Sequence, residues 1–378
     1  MRPKFEEGGK LHAFHSLFDA MDTFFYTPEQ TTVSGCHIRD AVDNKRTMFT
    51  VIIALIPALL FGMYNIGYQH YLSLGQVSCY CDNFWGNLGY GFLKILPMLL
   101  VSYIVGLGIE CIFAQIRKHE VSEGYFVTGM LIPLICPPDV PLWQLAIAVA
   151  FAVIIGKEVF GGTGYNFLNP ALVARAFLFF SYPSQMSGDT VWIAEQGDAI
   201  SGATPLGEML AGGVAPQASV LDMFLGFIPG SVGETSVIAI LIGAVILLVT
   251  GIASWRIMLS IFAGGAAMGL VFNMIGANPY MGMPFYYHFL IGGFMFGAVF
   301  MATDPVTAAQ TNTGKYIYGA LIGIMAVLIR VLNPAYPEGM MLSILLLNVF
   351  APLIDYYVVD ANIRRRAKRA KLLVKNNQ

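Results

Sequence analysis

Apolar residues in this chain come in long, nearly unbroken runs rather than at every second or third position, which is the pattern of helices surrounded by lipid. The runs fall at 47–68, 91–114, 125–136, 142–160, 170–181, 236–253, 256–276, 288–302, 316–333 and 339–358. Crossing a bilayer takes about 20 apolar residues, so the pattern predicts an all-α polytopic membrane protein of about ten transmembrane helices, several of them short. Residues 1–46 are polar and mixed in charge, without the short apolar core and small-residue site of a cleaved leader. Within them Leu11, Phe14, Phe18, Met21 and Phe25 recur at helical spacing, which predicts an amphipathic helix on the cytoplasmic interface, or a docking surface.

Two of the short runs end in Pro and Asp interruptions. Gly129-Met130-Leu131-Ile132-Pro133 leads to Pro137-Pro138-Asp139-Val140-Pro141, and Gly293-Phe294-Met295 leads to Thr303-Asp304-Pro305-Val306-Thr307. These are the third and eighth segments. Being five apart, they predict a five-plus-five inverted repeat with broken helices, a plan that places ligands at the interruptions. The chain then divides into a cytoplasmic segment 1–46, a first five-helix repeat 47–181, an outer loop 182–235, a second repeat 236–358 and a basic tail 359–378.

Composition agrees with a bilayer setting: 56% of residues are hydrophobic, 12% are charged, and mean hydropathy is +0.66. Charge then sets orientation, because Lys and Arg gather on the cytoplasmic side of short loops. With both termini inside, all of the 21 basic residues except Lys94, Arg175 and Arg330 fall inside. The loop 182–235 holds no Lys or Arg against six acidic residues, so it faces outward and carries Thr204 with it. The tail Arg364-Arg365-Arg366-Ala367-Lys368-Arg369 reads as an anchor to anionic lipid rather than a nucleic-acid patch, since it directly follows a membrane helix.

Candidate chemistry sits in the interruptions and in the outer loop. The stretch Gly156 to Pro170 combines Gly161, Gly162 and Gly164 with Asn166 and Asn169, which allows close backbone approach and offers amide donors and acceptors to a planar heteroaromatic ligand. An ordinary helix start explains Asn169 and Pro170 equally well, as N-cap and first residue, but leaves Asn166 and the glycines over. Ionisable groups in or near membrane segments, Glu110, Glu158, Arg175, Asp304 and Asp355, are costly there and mark a candidate cation path, with snorkelling or local ion pairs as the alternative. The cysteines and histidines lack metal-ligand spacing, and neither a Walker loop nor a dinucleotide fingerprint is present.

Ser201-Gly202-Ala203-Thr204, with Asp198 three places upstream, together with Phe160 to Ala176 and Phe300-Met301-Ala302-Thr303-Asp304-Pro305-Val306-Thr307, resembles the NqrB membrane subunit of the sodium-translocating NADH:quinone reductases, over essentially the whole chain. The resemblance implies a subunit of a bacterial inner-membrane oxidoreductase and translocase. In that family a flavin transferase joins FMN to the Thr hydroxyl by a phosphodiester bond. Thr204 is then the attachment point and Asp198, Ser201, Gly202 and Ala203 are recognition residues. The resemblance also implies a noncovalent riboflavin, for which Gly161, Gly162, Thr163, Asn166, Asn169, Arg175 and Asp304 are the candidate positions. Ubiquinone is the implied electron acceptor, expected near Gly106 and Glu110, and Na+ the transported ion, with Glu110 and Asp355 on its path. Implied partners are the other subunits, among them a second covalent-FMN subunit and an NADH-oxidising flavin and iron–sulfur subunit. Two rivals remain: the RnfD component of an Rnf-type ferredoxin:NAD complex, and a urea-channel-like solute transporter, which leaves Thr204 unexplained.

Overall fold

The structure is a computed structural model that describes residues 18, 32–36, 43–76, 79–80, 82–117, 121, 124–195, 202–212, 218–333 and 338–376. All regular structure among the described residues is helical. The amino-terminal amphipathic stretch, Phe18 apart, lies outside them, as do Asp198 and Ser201.

Each apolar run becomes helix. The long elements are α1 (Asn44–Ser73) and α2 (Phe84–Arg117), then α3 (Gly124–Leu134), α4 (Leu142–Gly156) and α5 (Pro170–Ser181). After two loop helices, α6 (Pro205–Gly212) and α7 (Val220–Leu225), come α8 (Val237–Val249), α9 (Trp255–Ile275) and α10 (Phe294–Phe296), the last continued by a π turn over Gly297–Met301. The chain closes with α11 (Asn312–Leu332) and α12 (Met340–Asn376). Six helices are long and apolar enough to cross a membrane, and α3, α5 and α8 are shorter apolar helices.

The lipid setting shows in which face is buried. On α2 the inward stripe is Asn87, Gly91, Ile95, Met98, Ser102, Gly106, Glu110 and Ala114, while Phe92, Leu93, Leu100, Ile104, Ile112 and Ile116 point outward. Small and polar residues face protein and large aliphatic ones face away, the reverse of a soluble helix. Close backbone approach does the packing. α9 lies along α11, where a Cβ on Gly264 would sit 2.3 Å from the Ala320 carbonyl and one on Gly323 would sit 2.1 Å from that of Ile261.

Two regions depart from the sequence reading. The outer loop contains α6 and α7; α7 is too short to show periodicity and is fixed by a capping box between Ser219 and Asp222. The basic tail is helical as far as Asn376, since its Ala, Lys, Arg and Leu are strong helix formers and Asp360 pairs with Arg364 one turn on at 2.8 Å.

Broken ends are satisfied by protein. The carbonyls of Leu134 and Cys136, at and just past the end of α3, accept the backbone N–H groups of Gly233 at 2.7 Å and Val232 at 3.3 Å. Ahead of α10, the His288 and Ile291 carbonyls accept from the Arg330 guanidinium at 2.8 and 3.1 Å. If the α9–α11 approach organises the second half, Gly323→Ile will lower the thermal midpoint of the purified complex, by an amount equal to at least the ~1–3 kcal/mol typical of overpacking. An unchanged midpoint in a fluorescence melting assay would show that the contact is dispensable.

Candidate functional site

Helix ends gather polar groups at two opposite faces, and each face holds a cavity. The loop face carries the segments 74–83, 135–141, 182–235, 276–293 and 333–339; the other carries 117–124, 157–169, 250–254 and 303–311.

At the loop face, Thr204 is the cap of α6. Its hydroxyl oxygen accepts the Gly207 N–H at 3.1 Å and its carbonyl the Glu208 N–H at 2.9 Å, with Pro205 next in the chain. Such capping explains a Thr-Pro pair without any cofactor. The same residue, however, stands on the wall of a cavity of about 340 Å³, within the range of small-molecule sites. Phe179, Met186, Trp192, Leu206, Ile228 and Ile291 supply its apolar lining. Arg175, Ser231, Glu234, Thr235 and Glu338 supply the polar part. Arg175 donates to Ser231 Oγ at 3.3 Å and Glu234 Oε1 at 3.4 Å and pairs with Glu338. The Thr235 hydroxyl is buried with no hydrogen-bond partner, an arrangement that a ligand bearing acceptors or donors would relieve. Gly202 and Ala203 run into this cap but do not line the cavity.

The loop itself is pinned from both ends. Asn65 donates to the Ile228 carbonyl at 3.0 Å, His70 Nδ1 lies 2.9 Å from the Ala194 carbonyl, and Tyr280 donates to that of Leu206 at 2.7 Å. Lys94 bridges Asp139 at 3.4 Å and Glu195 at 2.8 Å. The Tyr80 hydroxyl donates to Asp222 at 2.6 Å, which holds that carboxyl below the ordinary carboxylate range and pushes the phenol up to about 12.

At the opposite face the two interruptions meet. Asn169 Nδ2 donates to Asp304 Oδ2 at 3.4 Å, and Asp304 also accepts from the Thr307 hydroxyl at 3.0 Å and the Val306 N–H at 3.1 Å. A cavity of about 90 Å³ lies here, lined among others by Thr47, Met48, Lys157, Thr163, Asn166, Asn169 and Asp304. The Thr163 hydroxyl is buried without a partner. This donor set suits the edge of a polar heterocycle, but the room is well short of the ~300 Å³ at which such sites begin. Asn169 caps α5 through the Ala171 N–H at 3.0 Å, and Asn166 donates to the Leu168 carbonyl at 3.0 Å. Gly161 and Gly162 turn the chain at φ +122° and +94° and are not part of the lining.

Of the positions grouped from sequence, Thr163, Asn166, Asn169 and Asp304 come together, whereas Arg175 does not: it belongs to the cavity beside Thr204. It lies in the middle of α5, and depth within a helix cannot be read from a one-dimensional run. Glu110 pairs with Lys157, both buried; Lys157 Nζ also lies 5.9 Å above the Tyr125 ring. Glu158 pairs with Arg117 at 3.2 Å. Asp355 lines neither cavity and accepts the Gln310 and Thr311 N–H groups at 2.6 and 3.0 Å, closing the start of α11. Gly106 is covered by Tyr125, whose hydroxyl oxygen would be 1.9 Å from a Cβ there. Sequence reasoning missed Lys157, Thr235, Glu234 and Glu338; the last two were visible only as acidic residues near Pro, Gly and Ser.

The architecture is thus that of a multi-pass helical membrane protein with a polar cavity at each face. The chain matches the family model described as NQR2, RnfD, RnfE over residues 31–364 and belongs to that family. It is 51% identical to the NqrB protein, the second subunit of the Na(+)-translocating NADH-quinone reductase, of Ectopseudomonas mendocina, covering 97% of this chain and 96% of that protein. It is 51% identical to the subunit of the same name from Chromohalobacter salexigens, covering 98% and 95%, and 50% identical to that of Pseudomonas aeruginosa, covering 97% and 96%.

Removing one partner of a buried ion pair leaves a bare charge and costs about 3–5 kcal/mol. Lys157→Met will therefore lower the midpoint of thermal unfolding more than Lys157→Met combined with Glu110→Gln. Additive losses in the double variant would mean that the two side chains do not interact.

Proposed function

We propose that this chain is the membrane subunit of a sodium-pumping NADH:ubiquinone oxidoreductase and carries FMN esterified to Thr204. The observation that carries the reading is the position of that hydroxyl: half-buried at the start of a helix, on the wall of a cavity large enough for a planar ring. The relatives that bear the quinone reductase name cover nearly the full chain, which favours this reading over an Rnf-type ferredoxin:NAD role. A solute channel leaves Thr204 without a purpose and is not retained.

The chemistry suits the place. A phosphodiester is an anion, and the first backbone N–H groups of α6 point toward it with the positive end of the helix dipole. A tether also holds the carrier at fixed range, while the ring supplies the redox chemistry when bound. In this reading the loop face is outside and both termini are cytoplasmic. Electrons arrive from the second covalent-FMN subunit, itself fed by the NADH-oxidising one, and leave to ubiquinone near Gly106 and Glu110. Flavin transferase acts from the outer side, where Asp198, Ser201, Gly202 and Ala203 would be recognised. The five-plus-five plan, with its broken third and eighth segments, supplies the two polar faces.

Riboflavin we assign to Thr163, Asn166, Asn169 and Asp304. The donors are in place but the space is not, so no transfer step is derived through it. Na+ is cargo: Glu110 and Asp355 offer the hard oxygen ligands it prefers, and a cation reaching Glu110 must displace the Lys157 ammonium.

On a denaturing gel, the wild-type chain matured with its flavin transferase will show an ultraviolet-fluorescent band that Thr204→Val lacks. A band that survives in Thr204→Val overturns the attachment site. For the inner site, Asn166→Leu with Asn169→Ser, which keeps the α5 cap, will reduce extractable riboflavin at least severalfold and leave the covalent band; unchanged riboflavin content removes both residues from the assignment.

A further inference from the structure

We infer that Arg175 and Thr235 form the polar wall that receives the dioxopyrimidine edge of the flavin ring, so that the cavity beside Thr204 sets how readily that ring is reduced. The inference rests on the attachment reading and adds to it the residues that hold and tune the group.

Three observations carry it. Thr204 and the pair Arg175 and Thr235 line one cavity, so a group tethered to the first is brought to the other two. Phe179 and Trp192 in the same lining offer flat apolar surface for the faces of a ring. The Thr235 side chain is 4% exposed and its hydroxyl has no partner. A buried hydroxyl facing a cavity in this state is complementary to a ligand atom that the protein does not itself supply.

Arg175 fixes the class of that atom. Its side chain is 3% exposed, and its guanidinium is held by Ser231 and Glu234 and paired with Glu338. Arg330 lies behind, donating to the Glu338 carbonyl at 3.3 Å. Two arginines and two glutamates thus nearly cancel in charge, which makes a buried cluster tolerable. The fork is oriented by its partners and lines the cavity as a rigid donor, suited to a carbonyl and ring nitrogen side by side. The dioxopyrimidine edge of a flavin presents that pattern, and negative charge collects on it when the ring takes up two electrons. Donors facing this edge favour the reduced form over the oxidised one.

The test uses the whole complex, purified after maturation with its flavin transferase, in wild type, Thr204→Val, Thr235→Val, Arg175→Gln and Arg175→Lys. Gel fluorescence reports attachment. Spectroelectrochemical titration then follows the flavin component that Thr204→Val lacks. Thr235→Val and Arg175→Gln are expected to keep the fluorescent band while moving that component's oxidised-to-reduced ratio about tenfold toward oxidised at fixed potential, equal to about 30 mV for a two-electron couple. Arg175→Lys is expected to recover part of the shift. An intact band with an unmoved midpoint in both Thr235→Val and Arg175→Gln overturns the inference and leaves the attachment reading standing. Absence of the band from wild type, or its persistence in Thr204→Val, overturns both together. Should Arg175→Gln fail to assemble because it bares two carboxylates, the near-isosteric Thr235→Val decides the matter by itself.

Discussion

Hydrocarbon cannot hydrogen-bond, and from that constraint most of this architecture follows. A helix that stops short of the far side leaves carbonyls that need donors, and each such group left bare inside lipid costs several kcal/mol. Here α3 ends at Leu134, and the donors come from Val232 and Gly233, nearly a hundred residues along the chain. The loop that carries Thr204 is therefore not an ornament on a finished bundle. It supplies the end of a broken helix, and Asn65, Lys94, Tyr80 and Tyr280 bind it down at further points. A redox carrier attached to such a loop would sit on a rigid mount, which electron transfer at fixed range requires.

Buried charge obeys the same rule. Lys157 with Glu110, and Arg175 with Glu234 and Glu338, are among the few ionic clusters shielded from solvent. Pairing offsets the loss of hydration without making these clusters a strong source of stability. What pairing provides is position: a charge whose partner is fixed has a fixed location, and a competing ion or ligand must replace that partner. The Lys157 ammonium occupies the place that a cation beside Glu110 would take. Charge neutrality at this site thus links any cation there to the lysine and, through it, to the cavity that Lys157 lines.

Much of the fold is legible in the sequence because lipid imposes a one-dimensional signal. Run lengths locate the helices, and Pro137 to Pro141 and Thr303 to Thr307 mark the interruptions. The basic residues separate two sets of loops, and the contacts sort the loops into the same two sets. The three exceptions to that charge rule turn out to be basic residues with partners at the loop face: Lys94 on Asp139 and Glu195, Arg175 on Glu234, and Arg330 on loop carbonyls. Partner choice is not legible. Periodicity places Arg175 on a helix but says nothing of which cavity its depth will reach, and so the linear pattern groups it with Asn169 rather than with Thr204. Thr235 carries no signal at all, since an unpartnered hydroxyl is a property of its surroundings.

Thr204 raises the question of whether one oxygen can both cap a helix and carry an ester. The capping bond is from the Gly207 N–H to the hydroxyl oxygen, an interaction in which the oxygen accepts and its own proton is spare. Esterification replaces that proton with phosphorus and leaves a lone pair on the oxygen, while the added phosphate oxygens are stronger acceptors for the same first-turn N–H groups. The modification therefore asks the helix to give up nothing. A residue whose local structure is complete before the ester forms, and is strengthened by it, can be folded first and modified afterwards, the order that attachment on the outer side of a membrane would demand.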